Sequence, residues 1–176
     1  MYQLTEEDYA MKFCMMIIVD GQEPPGQGHY KEAIQYILDA YSSILKAHPS
    51  IVLKEKRPRN TGPEYREKVQ ILSELCRNRK IELLMRGNIE QSSLFFLLVE
   101  AIYKTVILVR YYAKEGELLA NILEESYCSP HDRTDAIISK DLHISRSTLY
   151  RRKQKALAYA GYYFFEAVLP EMAGKI

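Results

Sequence analysis

The stretch ISKDLHISRSTLYRRKQKAL, which runs from Ile138 to Leu157, is the most informative part of the sequence about its structure. Ile138 and Leu142 are four residues apart, so they share one face of a first short helix. Ser145 is a good N-cap for a second helix, because its hydroxyl accepts a backbone N–H of the first turn. Ile144 lies in the turn between the two helices and can fill the gap between them. Two helices joined by a short turn, the second of them polar at its start and basic beyond, predict a DNA-binding helix-turn-helix.

The basic residues of this stretch are concentrated on its second helix. No acidic residue occurs between Asp141 and Glu166, whereas five basic residues do. The polar side chains at the start of the helix carry donors that suit phosphates and the base edges of a major groove. The residues expected to read bases are Arg146, Ser147, Tyr150 and Arg151. The residues expected to contact phosphates are Lys140, Thr148, Arg152, Lys153 and Lys155.

The same spacing also fits an ordinary helical corner, and a basic helix face is often only solvated surface. A motif match alone is a hypothesis. The run of positive charge directly after the motif, with the serine cap in register, favours DNA binding over the helical corner.

The motif resembles the region-four helix-turn-helix of bacterial sigma factors. It is more similar still to phage late transcriptional regulators of the ArpU and RinA type. The shared stretch runs from Ser145 to Arg151 and continues with Lys155, Ala156 and Leu157. The resemblance covers roughly residues 117–159, because the apolar residues from Leu118 to Tyr127 resemble the helix that precedes the motif in those proteins. It implies a regulator of late genes that binds double-stranded DNA, with RNA polymerase as a further partner.

Four positions depart from the pattern of those families. Arg152 and Lys153 stand where the families place a leucine under the recognition helix. Ser139 replaces an alanine of the first helix, and His143 replaces the glycine of the turn. Histidine is among the non-glycine residues that tolerate a positive φ, and the stem of a long basic side chain can cover apolar surface. The resemblance therefore still predicts a packed helix-turn-helix.

The charge distribution separates this end of the chain from the remainder. Residues 131–176 hold eight basic and five acidic side chains, and residues 1–130 hold sixteen basic and eighteen acidic ones. The positive charge therefore lies at the motif, as expected for a DNA-reading end attached to a nearly neutral body. We predict a helical body over residues 1–116, for oligomerisation or partner contact, and a DNA-binding domain of the sigma-region-four type over residues 117–176.

Hydrophobic spacing and helix breakers predict an all-α chain. Only Ser50 to Lys54 alternates weakly in the manner of a strand. The loops are expected at Gln22 to Gly28 and at Ser50 to Gly62. The expected helices run from Thr5 to Val19, from Tyr30 to about His48, from Pro63 toward Gly87, from Leu94 to Tyr112, from Glu117 to Tyr127, and from Ser145 to Pro170.

The apolar run from Leu94 to Tyr112 is expected to be a buried central helix and not a membrane span. Three charged side chains interrupt it, and a span of about 20 residues would be destabilised by them. The N-terminus lacks the basic region and the cleavage site of a secretory signal. The sequence therefore predicts a cytoplasmic protein without a membrane partner.

Cysteine and histidine usage predicts no metal, no cofactor and no enzymatic activity. The three cysteines, Cys14, Cys76 and Cys128, are widely spaced and form no C-x-x-C pair, which excludes the usual zinc and disulfide patterns. Two of them lie among apolar residues and are expected to be core residues. The four histidines are dispersed, and no phosphate-binding glycine loop or nucleophile elbow is present.

Two segments outside the motif have two interpretations each. The aromatic block from Tyr159 to Leu169 either docks on the chain's own body or forms a homodimer interface. The basic segment from Lys54 to Arg59 either contacts the phosphate backbone or is a solvated loop.

The sequence therefore predicts a sequence-specific transcription regulator of double-stranded DNA from a phage or prophage, with a homodimer and RNA polymerase as candidate partners. Two alternatives stay open: a small terminase-like DNA-packaging protein, and a helical protein-interaction module that does not bind DNA.

Overall fold

Helices account for the regular structure in the part of the chain that the computed structural model describes, which is residues 5–6, 29–49, 62–86 and 93–175. No strand occurs among these residues, and the predicted all-α class is confirmed. The helices are α1 (His29–Ala47), α2 (Pro63–Arg77), α3 (Ser93–Tyr112), α4 (Gly116–Leu123), α5 (Asp135–Asp141), α6 (Arg146–Tyr163) and α7 (Leu169–Met172).

Three shorter turns complete the described elements. A 3₁₀ turn, Ile81–Arg86, follows α2. A π-helical turn, Glu124–Cys128, extends α4, and a second one, Phe164–Val168, joins α6 to α7. The helix expected from Thr5 to Val19 lies almost wholly outside the described residues. The loop expected from Gln22 to Gly28, the basic segment from Lys54 to Arg59 and the weak alternation from Ser50 to Lys54 lie outside them as well.

Helix α3 lies at the centre of the core, as its apolar sequence predicts. Its buried side chains include Ala101, Ile102 and Val106, and the helix packs against α2, α4 and α6. The same core contains Leu119 of α4 and Ala156 of α6. The boundary predicted between residues 116 and 117 therefore does not separate two cores. None of the described helices meets the length and hydropathy needed to cross a lipid bilayer.

The aromatic block near the C-terminus packs on the chain's own helices. Tyr159, Tyr163, Phe164 and Phe165 are each at most 2% exposed. Phe165 stacks on Tyr30 of α1, with ring centroids 5.4 Å apart. Burial of rings of this size is among the largest single contributions to a core. The block therefore fixes the C-terminal half of the long last helix to the body.

Gly161 permits the close crossing of α6 and α1. A Cβ atom at this position would lie 2.7 Å from the carbonyl oxygen of Tyr30 and 2.8 Å from the Tyr30 Cβ. Real Cβ contacts are not that short, so any larger residue would force the two helices apart. The mid-helix glycine, which costs helix propensity, is explained by this contact.

Two helix ends differ from the sequence prediction. Helix α2 ends at Arg77 and does not run on toward Gly87, because Arg79 takes a left-handed conformation with φ of 53°. The Lys80 N–H then donates to the Leu75 oxygen (2.9 Å) and closes a Schellman cap. Pro170, expected to end the last helix, lies inside α7. The wide π turn before it changes the hydrogen-bond register ahead of the proline ring.

The two described cysteines are core residues, as expected for free thiols among apolar neighbours. Cys76 is fully buried, and Cys128 is partly buried at the end of the π turn after α4. Desolvation raises the pKa of both thiols to about 12, so neither is a reactive thiolate at neutral pH.

Candidate nucleic-acid interface

The first helix of the motif, α5, has a complete cap at each end. Thr134 is its N-cap, and the threonine hydroxyl accepts the Ile137 N–H at 3.4 Å. At the C-terminal end, His143 has a φ of 54°. The His143 N–H donates to the Lys140 oxygen (3.1 Å), and the Ile144 N–H donates to the Ser139 oxygen (2.9 Å). These two bonds form a Schellman motif, so His143 performs the turn for which the resembling families use glycine.

The second helix, α6, begins at the serine cap that the sequence predicts. The Ser145 hydroxyl accepts the Thr148 N–H at 3.1 Å. The same hydroxyl contacts the Thr148 Oγ1 at 2.9 Å and the Ser147 Oγ at 3.0 Å. The cap therefore fixes the side chains of Ser147 and Thr148 at the start of the helix.

A small apolar cluster holds α4, α5 and α6 together. Ile122, Ile138 and Leu149 are its centre, and all three have no exposed surface. Leu118, Leu142 and Ile144 cover it from the side. The spacing of the motif assigns Ile138, Leu142, Ile144 and Leu149 to its interior, whereas Leu118 and Ile122 come from the preceding helix α4. The cluster is separate from the main core, so it sets the angle between the two helices of the motif locally.

The four residues predicted to read bases lie together on the exposed start of α6. Arg146, Ser147, Tyr150 and Arg151 are all exposed, and Tyr150 has 66% of its surface accessible. No ion pair joins Arg146 or Arg151 to an acidic side chain of the described residues. Both guanidinium groups therefore remain available for phosphates or guanine edges.

Three of the five residues predicted to contact phosphates pair with acidic groups from other elements. Glu115, between α3 and α4, lies 2.6 Å from Arg152 and 3.6 Å from Lys155. Asp135, at the start of α5, lies 3.2 Å from Lys153. The sequence contains no acidic residue near these cations, but the fold supplies two. The positive edge inferred from the sequence is thus partly neutralised in three dimensions.

The other two predicted phosphate contacts have different environments. Lys140 is exposed on α5 and makes no ion pair with a described residue. Thr148 is half-buried, and its hydroxyl contacts the Ser145 cap. Lys140 thus joins the exposed set, whereas Thr148 serves the start of the helix.

The two basic residues that replace the leucine of the resembling families are partly buried, with 26% of the Arg152 side chain and 21% of the Lys153 side chain exposed. Lys153 places its ammonium 5.2 Å from the centre of the Tyr127 ring. The Arg152 Nε atom is buried without a hydrogen-bond partner. Both side chains therefore contribute to the packing of α6 against the body.

Gln154 belongs to the outward face of α6, although the sequence interpretation did not include it. It lies three residues after Arg151 and four after Tyr150, so it continues the same face. With Tyr150 it lines a cleft of about 370 Å³, whose opposite wall is formed by Asp39 and Ser42 of α1. Desolvation raises the pKa of Asp39. The four-residue spacing from Tyr150 to Gln154 is the signal in the sequence that indicates this position.

Ion pairs hold the segment that leads into α5 and the C-terminal end of that helix. Arg133 contacts Glu125 (3.1 Å) and Asp141, which ties the two ends of α5 to the π turn after α4. Lys46 of α1 contacts Asp132 at 2.8 Å. The described residues contain no cluster of side chains suited to a metal ion.

No protein-family model matches this chain, and no curated protein or solved structure is significantly similar to it.

Proposed function

We propose that this chain is a sequence-specific regulator of transcription that binds double-stranded DNA. The N-terminal turns of α6 enter a major groove, where Arg146, Ser147, Tyr150 and Arg151 face base edges or the adjacent phosphates. Lys140 contacts the phosphate backbone beside the groove.

One observation carries this proposal: the start of α6 is exposed and polar, and its Arg146 and Arg151 make no ion pair with a described residue, while the C-terminal half of the helix belongs to the core. Tyr159 and Tyr163, on the same helix, are each 2% exposed. A helix anchored in this way presents its first turns rigidly, and rigid presentation lowers the entropy lost on binding.

The resemblance of the motif to phage late regulators supports a role at the late genes of a phage or prophage. In this proposal the helical body supplies homodimerisation or contact with RNA polymerase. No segment resembles a promoter-melting region, so the chain is not proposed to open a promoter by itself.

The proposal is tested by selecting bound fragments from random duplex DNA at two salt concentrations. We expect one sequence motif to be enriched by the wild-type chain. An Arg146→Gln, Arg151→Gln double variant should lose that enrichment, because it lacks both unpaired guanidinium groups. Absence of DNA binding even at low salt would contradict the proposal and favour a protein-interaction module. A ring-shaped oligomer in light scattering would favour the terminase-like alternative.

A further inference from the structure

The elbow between α3 and α4 places one carboxylate against the recognition helix. Glu115 has a left-handed backbone, with φ of 64°. The next residue, Gly116, is buried, and a Cβ atom there would lie 2.3 Å from the Arg110 carbonyl oxygen. Only glycine permits this approach, so the elbow has little freedom to move. The position of the Glu115 carboxylate is therefore set by the backbone and not only by its rotamer.

The Glu115 carboxylate neutralises two cations of α6 at once. It lies 2.6 Å from Arg152 and 3.6 Å from Lys155. All three side chains keep between 23% and 33% of their surface exposed. Water and phosphate can therefore still reach the cluster. A phosphate group would have to compete with Glu115 for either cation.

Lys155 is the one of these two cations that lies closer to the groove-facing surface. It follows the exposed Arg151 by four residues, so it lies one turn further along nearly the same line of the helix. Arg152 follows Arg151 directly, so it is turned about 100° away from it around the helix, and 26% of its side chain is exposed. Loss of Glu115 would thus free chiefly Lys155 for contact with DNA.

We propose that Glu115 is a specificity-determining residue that limits sequence-independent binding to duplex DNA. Contacts to phosphates position a protein on DNA but carry no sequence information, and each one releases about one counterion. By keeping Lys155 and Arg152 paired, Glu115 leaves binding dependent on the reading face of Arg146, Ser147, Tyr150 and Arg151. This inference rests on the proposed function.

The test compares Glu115→Gln with the wild-type chain on random duplex DNA, between 50 and 200 mM salt. We expect Glu115→Gln to bind about threefold to tenfold more tightly, and the plot of log affinity against log salt to steepen by about one. Glu117→Gln is the matched control, because Glu117 pairs with Arg110 (3.3 Å) and contacts no cation of α6 among the described residues. It should behave like the wild-type chain.

Two further variants separate charge from folding. In a Glu115→Gln, Lys155→Gln double variant the gain in affinity should disappear. Glu115→Gly also removes the carboxylate, and it relieves the left-handed backbone, so it should show the same gain without loss of stability. Equal affinity and equal salt slope for the wild-type, Glu115→Gln and Glu115→Gly chains would overturn the inference and leave the proposed function standing. If none of the three binds duplex DNA at low salt, the proposed function fails, and the inference fails with it.

Discussion

His143 lies in the turn between α5 and α6 and has a backbone conformation that most side chains avoid. Its φ is 54°, and its backbone N–H and that of Ile144 close the cap of α5. A left-handed conformation costs a non-glycine residue roughly 1–2 kcal/mol. The surrounding hydrogen bonds and the buried cluster below the turn offset this cost. The chain thus tolerates backbone strain at the point that fixes the angle between α5 and α6.

Replacement of His143 by glycine should stabilise the fold. We expect His143→Gly to raise the free energy of unfolding by about 1 kcal/mol, because glycine adopts this φ without steric cost. Chemical denaturation measures the change. His131→Gly is the control, since His131 has no positive φ, and it should bring no gain. A loss of stability in His143→Gly would contradict the left-handed turn.

Among the helices, α5 is held in place by the one face that it buries. Ile138 is fully buried in the small cluster with Ile122 and Leu149, whereas its neighbour Ile137 is 44% exposed. An element of seven residues cannot be stable by itself. Its position relative to α6 therefore depends on this cluster.

Truncation of these two adjacent isoleucines should have very different effects. Ile138→Ala is expected to lower the free energy of unfolding by about 2–4 kcal/mol, because it leaves a cavity between three helices. Ile137→Ala should change it by less than about 0.5 kcal/mol, as exposed positions do. Urea denaturation of both variants makes the comparison. Similar losses in the two variants would contradict the inward position of Ile138 and the outward position of Ile137.

The close crossing of α6 and α1 at Gly161 leads to a second prediction about the packing of helices. Gly161→Ser should destabilise the fold by about 1–3 kcal/mol, because the added atoms meet the Tyr30 backbone. Gly62→Ser adds the same atoms at the N-cap of α2, where nothing lies within 4 Å. Serine is a preferred N-cap residue, so this control should be neutral or slightly stabilising. If thermal unfolding shows equal effects for the two variants, the close crossing is wrong.

The sequence predicts those features of the motif that depend on neighbouring residues. The Ser145 cap and the inward positions of Ile138 and Leu149 follow from local spacing. The positive φ at His143 is implied by the resemblance to families that have glycine at this turn. The burial of the run from Leu94 to Tyr112 follows from its apolar composition. These features were predictable because the physical cause lies within a few residues of the effect.

The features that the sequence does not predict have distant causes. Glu115 is 37 residues before Arg152, and no local pattern indicates that the two side chains pair. Arg79 ends α2 in a left-handed conformation without the glycine or asparagine that usually marks such an end. Pro170 follows a π turn, Phe164–Val168, that no local sequence pattern predicts. Each depends on packing between elements, which overrides local preference.

In the molecule as a whole, the exposed start of α6 and the core of the helical body belong to one continuous structure. The long last helix begins as an exposed polar surface and ends as an aromatic segment of the core. Its cations divide accordingly: Arg146 and Arg151 are exposed without a described acidic partner, and Arg152, Lys153 and Lys155 pair with Glu115 or Asp135. In the proposed function, this nearly neutral molecule would bind DNA through Arg146 and Arg151, the two α6 cations that have no acidic partner among the described residues.

Whether the exposed start of α6 contacts DNA bases can be tested with Arg151 and Arg152. The two arginines are adjacent and have the same chemistry, but Arg151 is exposed and Arg152 is paired with Glu115. The measurement is the affinity of Arg151→Ala and Arg152→Ala for the duplex obtained by selection, with random duplex as the reference. If the exposed start of α6 contacts the bases, Arg151→Ala should lose about 1–3 kcal/mol of site-specific affinity. Arg152→Ala should keep the affinity of the wild-type chain within about a factor of two, since a residue paired on the flank makes no base contact. A loss confined to Arg152→Ala, with Arg151→Ala unchanged, would contradict the claim.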